Sequence, residues 1–193
     1  MDAFAFIHEH KLVSIARQVY GEDLVQAAGA VLEGGIRVLE VTFDQASPRA
    51  LTDTPRSIAA VKKAFGNEMC VGAGTVMSVD QARAAWEAGA DFALAPNVDE
   101  EVIAELKRLG MMAVPGAFSP TEIAAASRAG AEIVKIFPVA QLGAAYIKAV
   151  RGPLNHIPLM AVGGVTPENV ADFLAAGCCS AGIGSNIINA KAV

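Results

Sequence analysis

The sequence Ile133-Val134-Lys135-Ile136-Phe137-Pro138 places one lysine inside a stretch of apolar, largely β-branched residues. A continuous apolar stretch of this length predicts a parallel β-strand covered on both faces, and the proline is expected to end it. Because burial disfavours a charged ammonium group, a lysine in such a strand is costly unless a neighbouring charge or a chemical role accounts for it. The stretch therefore predicts both a core strand and an unusual amine.

Seven other short apolar stretches alternate with alanine-rich helical segments, at intervals of roughly 20–25 residues. Glycines follow several of the predicted helices, where a left-handed residue commonly ends a helix, at Gly34, Gly89, Gly110, Gly130 and Gly177. Together the predicted strands cover residues 12–16, 38–43, 70–73, 92–95, 112–114, 133–137, 159–162 and 181–183. The alternation predicts repeated β-α units.

Eight such units without a linker favour an α/β fold, a single (β/α)8 TIM barrel formed by residues 1–193. A doubly wound open sheet is the alternative that the pattern leaves open. The sequence ends within a few residues of the last predicted strand, at positions 190–193. We therefore expect the outer helix after strand eight to be missing or truncated, or that side of the barrel to be covered by another segment.

Composition excludes several classes of function. The net charge is −5 with no basic cluster, so nucleic acid is not an expected partner, and the longest uncharged stretch is interrupted by Gly, Ser and Asn, so no membrane span is expected. Cys70, Cys178 and Cys179 form no disulfide pattern and suit the reducing cytoplasm. The three histidines form no metal-ligand pattern, and we expect no metal.

In a barrel of this kind, catalytic side chains lie where the strands end. Burial would lower the pKa of Lys135 and free its amine to attack a carbonyl group; the alternative is a structural lysine that reaches solvent or pairs with a carboxylate. Glu40, an acid inside the apolar strand 38–43, is either a proton shuttle or the buried partner that neutralises Lys135. The two roles of Glu40 are compatible.

Two glycine turns follow the last two strands, with Gly163-Gly164 in one and Gly184-Ser185 in the other. Barrels commonly bind phosphate at this position through bare backbone N–H groups, although each turn alone could be only a tight turn. Arg17 is a candidate for binding a substrate carboxylate, or else part of a salt bridge at the rim. Thr75 offers a hydroxyl above the third strand.

These motifs resemble one known family. Glu40-Val41-Thr42, Gly72-Ala73-Gly74-Thr75-Val76, Ala95-Pro96-Asn97, Pro115-Gly116, Lys135-Ile136-Phe137-Pro138 and Gly163-Gly164-Val165 occur in the order seen in the 2-keto-3-deoxy-6-phosphogluconate (KDPG)/4-hydroxy-2-oxoglutarate (KHG) aldolase family. The resemblance implies a homotrimeric barrel without a cofactor. It implies Schiff-base chemistry at Lys135, proton transfer by Glu40, and substrate binding by Arg17, Thr75, Pro96, Gly163, Gly164, Gly184 and Ser185.

Two departures concern the substrate. Asp44 stands where some gluconate-type members have arginine. Val162 stands where members specific for the gluconate epimer can carry threonine, and at this position the chain resembles the galactonate branch instead. The expected reaction is cleavage of a phosphorylated 2-keto-3-deoxy sugar acid, or of 4-hydroxy-2-oxoglutarate, to pyruvate and an aldehyde. A non-covalent isomerase or synthase, an oxaloacetate decarboxylase and a non-catalytic barrel are the competing hypotheses.

Overall fold

The computed structural model describes residues 1–190. It contains nine parallel strands in one sheet: β1 (Leu12–Ala16), β2 (Val38–Thr42), β3 (Cys70–Gly74), β4 (Phe92–Leu94), β5 (Met112–Val114), β6 (Gly116–Ala117), β7 (Val134–Ile136), β8 (Leu159–Val162) and β9 (Ser180–Ile183). An N-terminal helix and the helices that connect the strands are α1 (Ala3–His10), α2 (Gly21–Glu33), α3 (Ala50–Phe65), α4 (Val79–Glu87), α5 (Glu100–Arg108), α6 (Pro120–Arg128), α7 (Gly143–Arg151) and α8 (Val170–Ala175).

The sheet closes into a barrel at Pro115. The strand order is β5-β4-β3-β2-β1-β9-β8-β7-β6, so its two edges are β5 and β6, which Pro115 alone separates in the chain. The Val114 carbonyl accepts from Ala95 N–H (3.2 Å) on one side, and the Pro115 carbonyl accepts from Lys135 N–H (2.9 Å) on the other. The segment therefore acts as one interrupted strand. The predicted (β/α)8 barrel is confirmed, and the open sheet is excluded.

Alternating side chains divide the core into an interior layer and an outer layer. On β1, Val13 and Ile15 face the barrel interior, whereas Ala16 packs against the helices. The interior is filled by pairing large with small residues: a β-carbon at Gly72 would lie 2.3 Å from the Phe92 ring. The barrel is thus a packed core below the level at which its strands end.

Helix α1 covers the end of the barrel at which the strands begin, called the lower end below; the strands terminate at the upper end. Asp2 caps α1 by accepting a hydrogen bond from Ala5 N–H (3.1 Å). Ile7 and Ala3 are buried in the interior core together with Val13 and Phe92. The apolar face of α1 therefore closes the lower end.

Most of the predicted helix ends are confirmed. Gly89, Gly110, Gly130 and Gly177 have φ values between 70° and 111°, the left-handed region. The prediction for Gly34 is wrong, because its φ is −71°. The next glycine, Gly35, takes the left-handed conformation instead, with φ of 91°. The helix simply continues one residue further before the chain reverses.

After β9 the chain forms turns instead of a helix, up to Ala190. Ile187 and Ile188 N–H both donate to the Gly184 carbonyl, and their side chains pack against the outer core. This turn covers part of the side where an eighth outer helix would lie; positions 191–193 of the predicted gap fall outside the described residues. Within residues 1–190, none of the helices has the length and hydropathy that crossing a membrane requires.

Candidate active site

Lys135 and Glu40 both point into the barrel. Lys135 lies on β7 beside Met160 of β8, and Glu40 lies on β2 beside Ile15 of β1; both neighbours belong to the interior core. Only 3% of Lys135 and 1% of Glu40 is exposed. The sequence prediction that an amine and an acid share one buried space is consistent with this placement.

Glu40 lies against a strand that lacks a side chain at the same level. A β-carbon at Gly74 of β3 would lie 1.9 Å from Glu40 Oε1, so glycine there is what leaves space for the carboxyl group. Glu40 Oε2 is buried and has no hydrogen-bond partner. Burial raises the pKa of Glu40, while the charges of Lys135 and Arg17 act to lower it. A carboxyl group with a raised pKa keeps its proton to higher pH than an exposed one, which suits a proton donor.

The Lys135 amine lies over an aromatic ring. Its Nζ is 4.5 Å from the centre of the Phe137 ring, on the same side of the strand. Burial lowers the pKa of Lys135, the charge of Glu40 raises it, and the charge of Arg17 lowers it further. In the part of the chain that the structure describes, no ion pair within 4 Å joins Lys135 to Glu40. The two groups therefore influence each other electrostatically without a direct ion pair.

A cavity of about 520 Å³ opens at the upper end between β1, β8 and β9. Five of the seven predicted binding residues line it: Arg17, Gly163, Gly164, Gly184 and Ser185. Because the charge of Arg17 acts on both Glu40 and Lys135, this guanidinium connects the cavity to the buried pair. Lys135 and Glu40 lie deeper and do not line the cavity.

Both glycine turns present backbone donors without internal partners. Within residues 1–190, no hydrogen bond uses the N–H groups of Gly164, Val165, Ser185 or Asn186. Such a set of free N–H groups in two facing turns is suited to the oxygens of an anion. The arrangement supports the predicted phosphate site.

The first glycine turn is built tightly. Gly163 and Gly164 have φ of 91° and 81°, and a β-carbon on Gly164 would lie 2.4 Å from the Ala140 side chain. Asn169 holds the turn, since its Nδ2 donates to the Gly164 carbonyl (3.0 Å) and its Oδ1 accepts from Thr166 N–H (2.8 Å). Gly184 differs, because nothing lies within 4 Å of its β-carbon position.

Thr75 and Pro96 lie apart from the 520 Å³ cavity. They follow β3 and β4, on the part of the rim that does not border β8 and β9. Thr75 has a left-handed φ of 56°, and its carbonyl accepts from Gln45 Nε2 (2.7 Å). Pro96 packs on Gly116, where a β-carbon would lie 2.5 Å from the Pro96 carbonyl. If these two residues contact a substrate, they do so from the part of the rim above β3 and β4, and not from the wall of this cavity.

Sequence reasoning missed other residues of the cavity wall, among them Gln18, Asn186 and Ile188. Adjacency to Arg17 and to Ser185 was the available signal for the first two. In the described residues, no group of three or more His, Cys, Asp or Glu side chains is arranged to hold a metal ion.

A family model described as KDPG and KHG aldolase matches residues 4–193. The chain belongs to this family. It is 37% identical to the 2-dehydro-3-deoxy-6-phosphogalactonate aldolase of Escherichia coli (strain K12) over 180 residues, covering 93% of this chain and 85% of that protein. It is also 37% identical to the 2-dehydro-3-deoxy-phosphogluconate aldolase of Treponema pallidum (strain Nichols), over 80% of this chain and 70% of that protein. The family relatives are aldolases, so this enzyme is a lyase.

A solved structure of a related aldolase bears on the lysine chemistry. The KDPG aldolase from Legionella pneumophila, with pyruvate captured as a covalent carbinolamine, is 26% identical and has a TM-score of 0.84. It aligns with 100% of this chain and 90% of its own. A carbinolamine is the first covalent adduct on the way to an imine, which supports Schiff-base chemistry in this family.

Proposed function

We propose that this aldolase cleaves a 2-keto-3-deoxy-6-phospho sugar acid, of gluconate or galactonate type, to pyruvate and glyceraldehyde 3-phosphate, with Lys135 as the nucleophile. The observation that carries the proposal is the burial of Lys135 and Glu40 in one barrel interior without a direct ion pair. A lysine with a lowered pKa supplies the neutral amine that attack on a ketone requires. Cleavage of 4-hydroxy-2-oxoglutarate to pyruvate and glyoxylate follows the same chemistry.

The reaction begins with attack of the Lys135 amine on the C2 ketone. Glu40 supplies a proton to the hydroxyl of the carbinolamine, which leaves as water and gives an iminium ion. The Glu40 carboxylate left by that step takes the C4 hydroxyl proton as the C3–C4 bond breaks, and the bonding electrons move into the iminium to form an enamine. The aldehyde departs, Glu40 returns a proton to the enamine carbon, and water releases pyruvate. A carboxyl group with a raised pKa suits these proton transfers.

Substrate binding is assigned to the residues at the upper end. Arg17 and Thr75 are proposed to hold the carboxylate of the keto acid, and Pro96 to border that part of the site. The N–H groups of the turns at Gly163-Gly164 and Gly184-Ser185 are proposed to bind phosphate, since they have no internal partner. A relative of each epimer type matches the chain at 37% identity, so both epimers are candidate substrates.

Borohydride trapping tests the mechanism directly. Incubation with pyruvate and borohydride is expected to produce a reduced adduct, which peptide mass spectrometry should locate at Lys135. Lys62→Met, which removes a lysine at the lower end, is the matched control and should retain the adduct. An adduct at another lysine, or none at all, would contradict the proposal. Turnover of each 6-phosphate epimer, of 4-hydroxy-2-oxoglutarate and of oxaloacetate would then rank the substrates.

The enzyme is further proposed to be a homotrimer in the cytoplasm. The large apolar side chains of Trp86 and Phe118 are about half exposed, as expected for residues covered by another copy. Cys70, Cys178 and Cys179 are free thiols, which suits a reducing compartment. Sedimentation equilibrium that gives a monomer would contradict the trimer.

A further inference from the structure

Gln18 has a backbone conformation that glutamine rarely adopts. It follows Arg17 directly after β1, and its φ of 56° lies in the left-handed region that favours glycine. Strained positions of this kind are found preferentially at functional sites, where the surrounding structure maintains them. Gln18 also lines the 520 Å³ cavity, together with Arg17, Gly164 and Ser185. Gln18 therefore forms part of the wall of this cavity despite an unfavourable backbone conformation.

Asp44 determines which end of the Gln18 amide is available. Gln18 Nε2 donates to Asp44 Oδ2 (3.1 Å), and Asp44 is held in turn because its Oδ1 accepts from Ala46 N–H (3.0 Å). An ionised carboxylate only accepts hydrogen bonds, so the amide nitrogen must face it. The amide oxygen, Oε1, is then directed away from Asp44, and no hydrogen bond within residues 1–190 uses it. Gln18 and its hydrogen bond to Asp44 are exposed, and the amide oxygen remains available as an acceptor.

A neutral amide oxygen at this place suits a hydroxyl group and not a phosphate or a carboxylate, which have no hydrogen to donate when ionised. An amide is also too weak a base to take the C4 proton. The C4 hydroxyl must lie near Lys135 when the C3–C4 bond breaks, whereas Gln18 shares the cavity with the glycine turns. The hydroxyl nearest those turns is the one on C5, next to the carbon that carries the phosphate.

We propose that Gln18 is a specificity residue whose Oε1 accepts a hydrogen bond from the C5 hydroxyl of a 2-keto-3-deoxy-6-phospho sugar acid, and that Asp44 is its positioning residue. This assignment rests on the proposed function. It separates two substrate types that share the bond-breaking chemistry, because 4-hydroxy-2-oxoglutarate has a carboxylate at C5 and no hydroxyl there.

The test compares kcat/KM for the two substrate types in Gln18→Ala. Loss of one hydrogen bond that the site is built to make is expected to lower kcat/KM for the phosphorylated sugar acid by on the order of tenfold. The value for 4-hydroxy-2-oxoglutarate and the rate of pyruvate trapping should change by less than about twofold. Gln26→Ala, at an exposed glutamine of α2, is the matched control and should change none of these.

Two further variants separate recognition from backbone strain. Gln18→Gly removes the side chain and relieves the left-handed φ, so its thermal midpoint should equal or exceed that of the wild type, while it loses the same factor in kcat/KM as Gln18→Ala. Asp44→Asn should lose part of that factor, and Asp44→Asn combined with Gln18→Ala should be no worse than Gln18→Ala alone. That non-additivity is the signature of a residue that acts through Gln18.

Equal losses on both substrate types, or an unchanged kcat/KM for the phosphorylated sugar acid in Gln18→Ala, would overturn the assignment. Failure of the proposed function looks different, since the wild type would then form no adduct with pyruvate or would cleave neither 6-phosphate epimer.

Discussion

Lysine and acid side chains are paired at the lower end of the barrel but not at the buried site toward its upper end. At the lower end, Lys62 Nζ contacts both oxygens of Asp91, at 2.9 and 2.7 Å, and Asp91 also accepts from Val71 N–H (2.9 Å). Toward the upper end, Lys135 and Glu40 are more deeply buried yet are not in contact as an ion pair, and Glu40 Oε2 has no hydrogen-bond partner.

The lower-end arrangement occurs twice. Lys107 of α5 pairs with Glu132 just before β7, and Glu132 also accepts from Ala113 N–H (3.0 Å) of β5. In both cases a helix lysine neutralises an acid that also satisfies a strand N–H, which is a structural use of charge. Buried charges left without such partners cost stability, so their presence at the upper end is consistent with the catalytic roles proposed for them.

The largest expected effect is at Lys135. Lys135→Met fills the same volume without a nucleophile, so kcat for retro-aldol cleavage should fall by about a thousandfold or more. Because the substitution replaces a buried amine that has no ion pair within 4 Å with an apolar side chain, the free energy of unfolding should stay equal or rise. Steady-state kinetics and urea denaturation on the same preparation measure both. Loss of activity through unfolding would remove the contrast between the two ends.

Glu40→Gln should have the next largest effect. The amide keeps the shape of the side chain but cannot transfer a proton, so kcat should fall on the order of 10²–10⁴-fold. Pyruvate trapping should become slow, and stability at neutral pH should not decrease. Glu87→Gln, at an exposed acid of α4, is the control and should leave kcat unchanged. Retention of full activity in Glu40→Gln would make this acid only a counter-charge for Lys135.

Asp91→Asn should give the reverse result. It breaks the pairing with Lys62 at the lower end, so unfolding should cost about 1–3 kcal/mol less, while kcat and KM stay at their wild-type values. Urea denaturation gives the stability, and the same kinetic assay gives the activity. A clear drop in kcat for the folded variant would show that the lower end is coupled to catalysis.

The pH dependence of stability should carry the smallest signal. The pKa of Glu40 is raised by burial, so the unfolded chain loses this proton first as pH rises, and stability falls from about pH 4 up to the folded-state pKa. The pKa of Lys135 is lowered by burial, so stability rises with pH between that folded-state value and about 10. The double variant Glu40→Gln, Lys135→Met should flatten both slopes in denaturation curves taken across pH.

Sequence periodicity was enough to predict the barrel, since all eight predicted strands are present. The side chains of Lys135 and Glu40, each on a predicted strand, both point into the barrel. The interruption at Pro115 was not predicted, because proline only removes a donor and the closure depends on both neighbouring strands. The position of Thr75 and Pro96 away from the 520 Å³ cavity was also missed. A position at the end of a predicted strand places a residue at the upper end of the barrel. It does not tell which part of the upper rim borders a cavity.

The role of Gln18 shows a different limit. A left-handed backbone is predictable where the residue is glycine, as at Gly163, because glycine itself is the signal. Glutamine gives no such signal, and its hydrogen bond to Asp44 joins residues that are 26 positions apart. Contacts of that kind depend on how two loops meet above the sheet, which local patterns do not encode.

The position of α1 has a consequence for turnover. Because Ile7 and Ala3 seal the lower end, substrate and both products must enter and leave at the upper end. In the proposed mechanism, pyruvate stays attached to Lys135 after the C3–C4 bond breaks, so the aldehyde fragment leaves first. The two products are therefore released in a fixed order. In product-inhibition kinetics, pyruvate should compete with the substrate for the free enzyme, whereas the aldehyde should trap the enamine form.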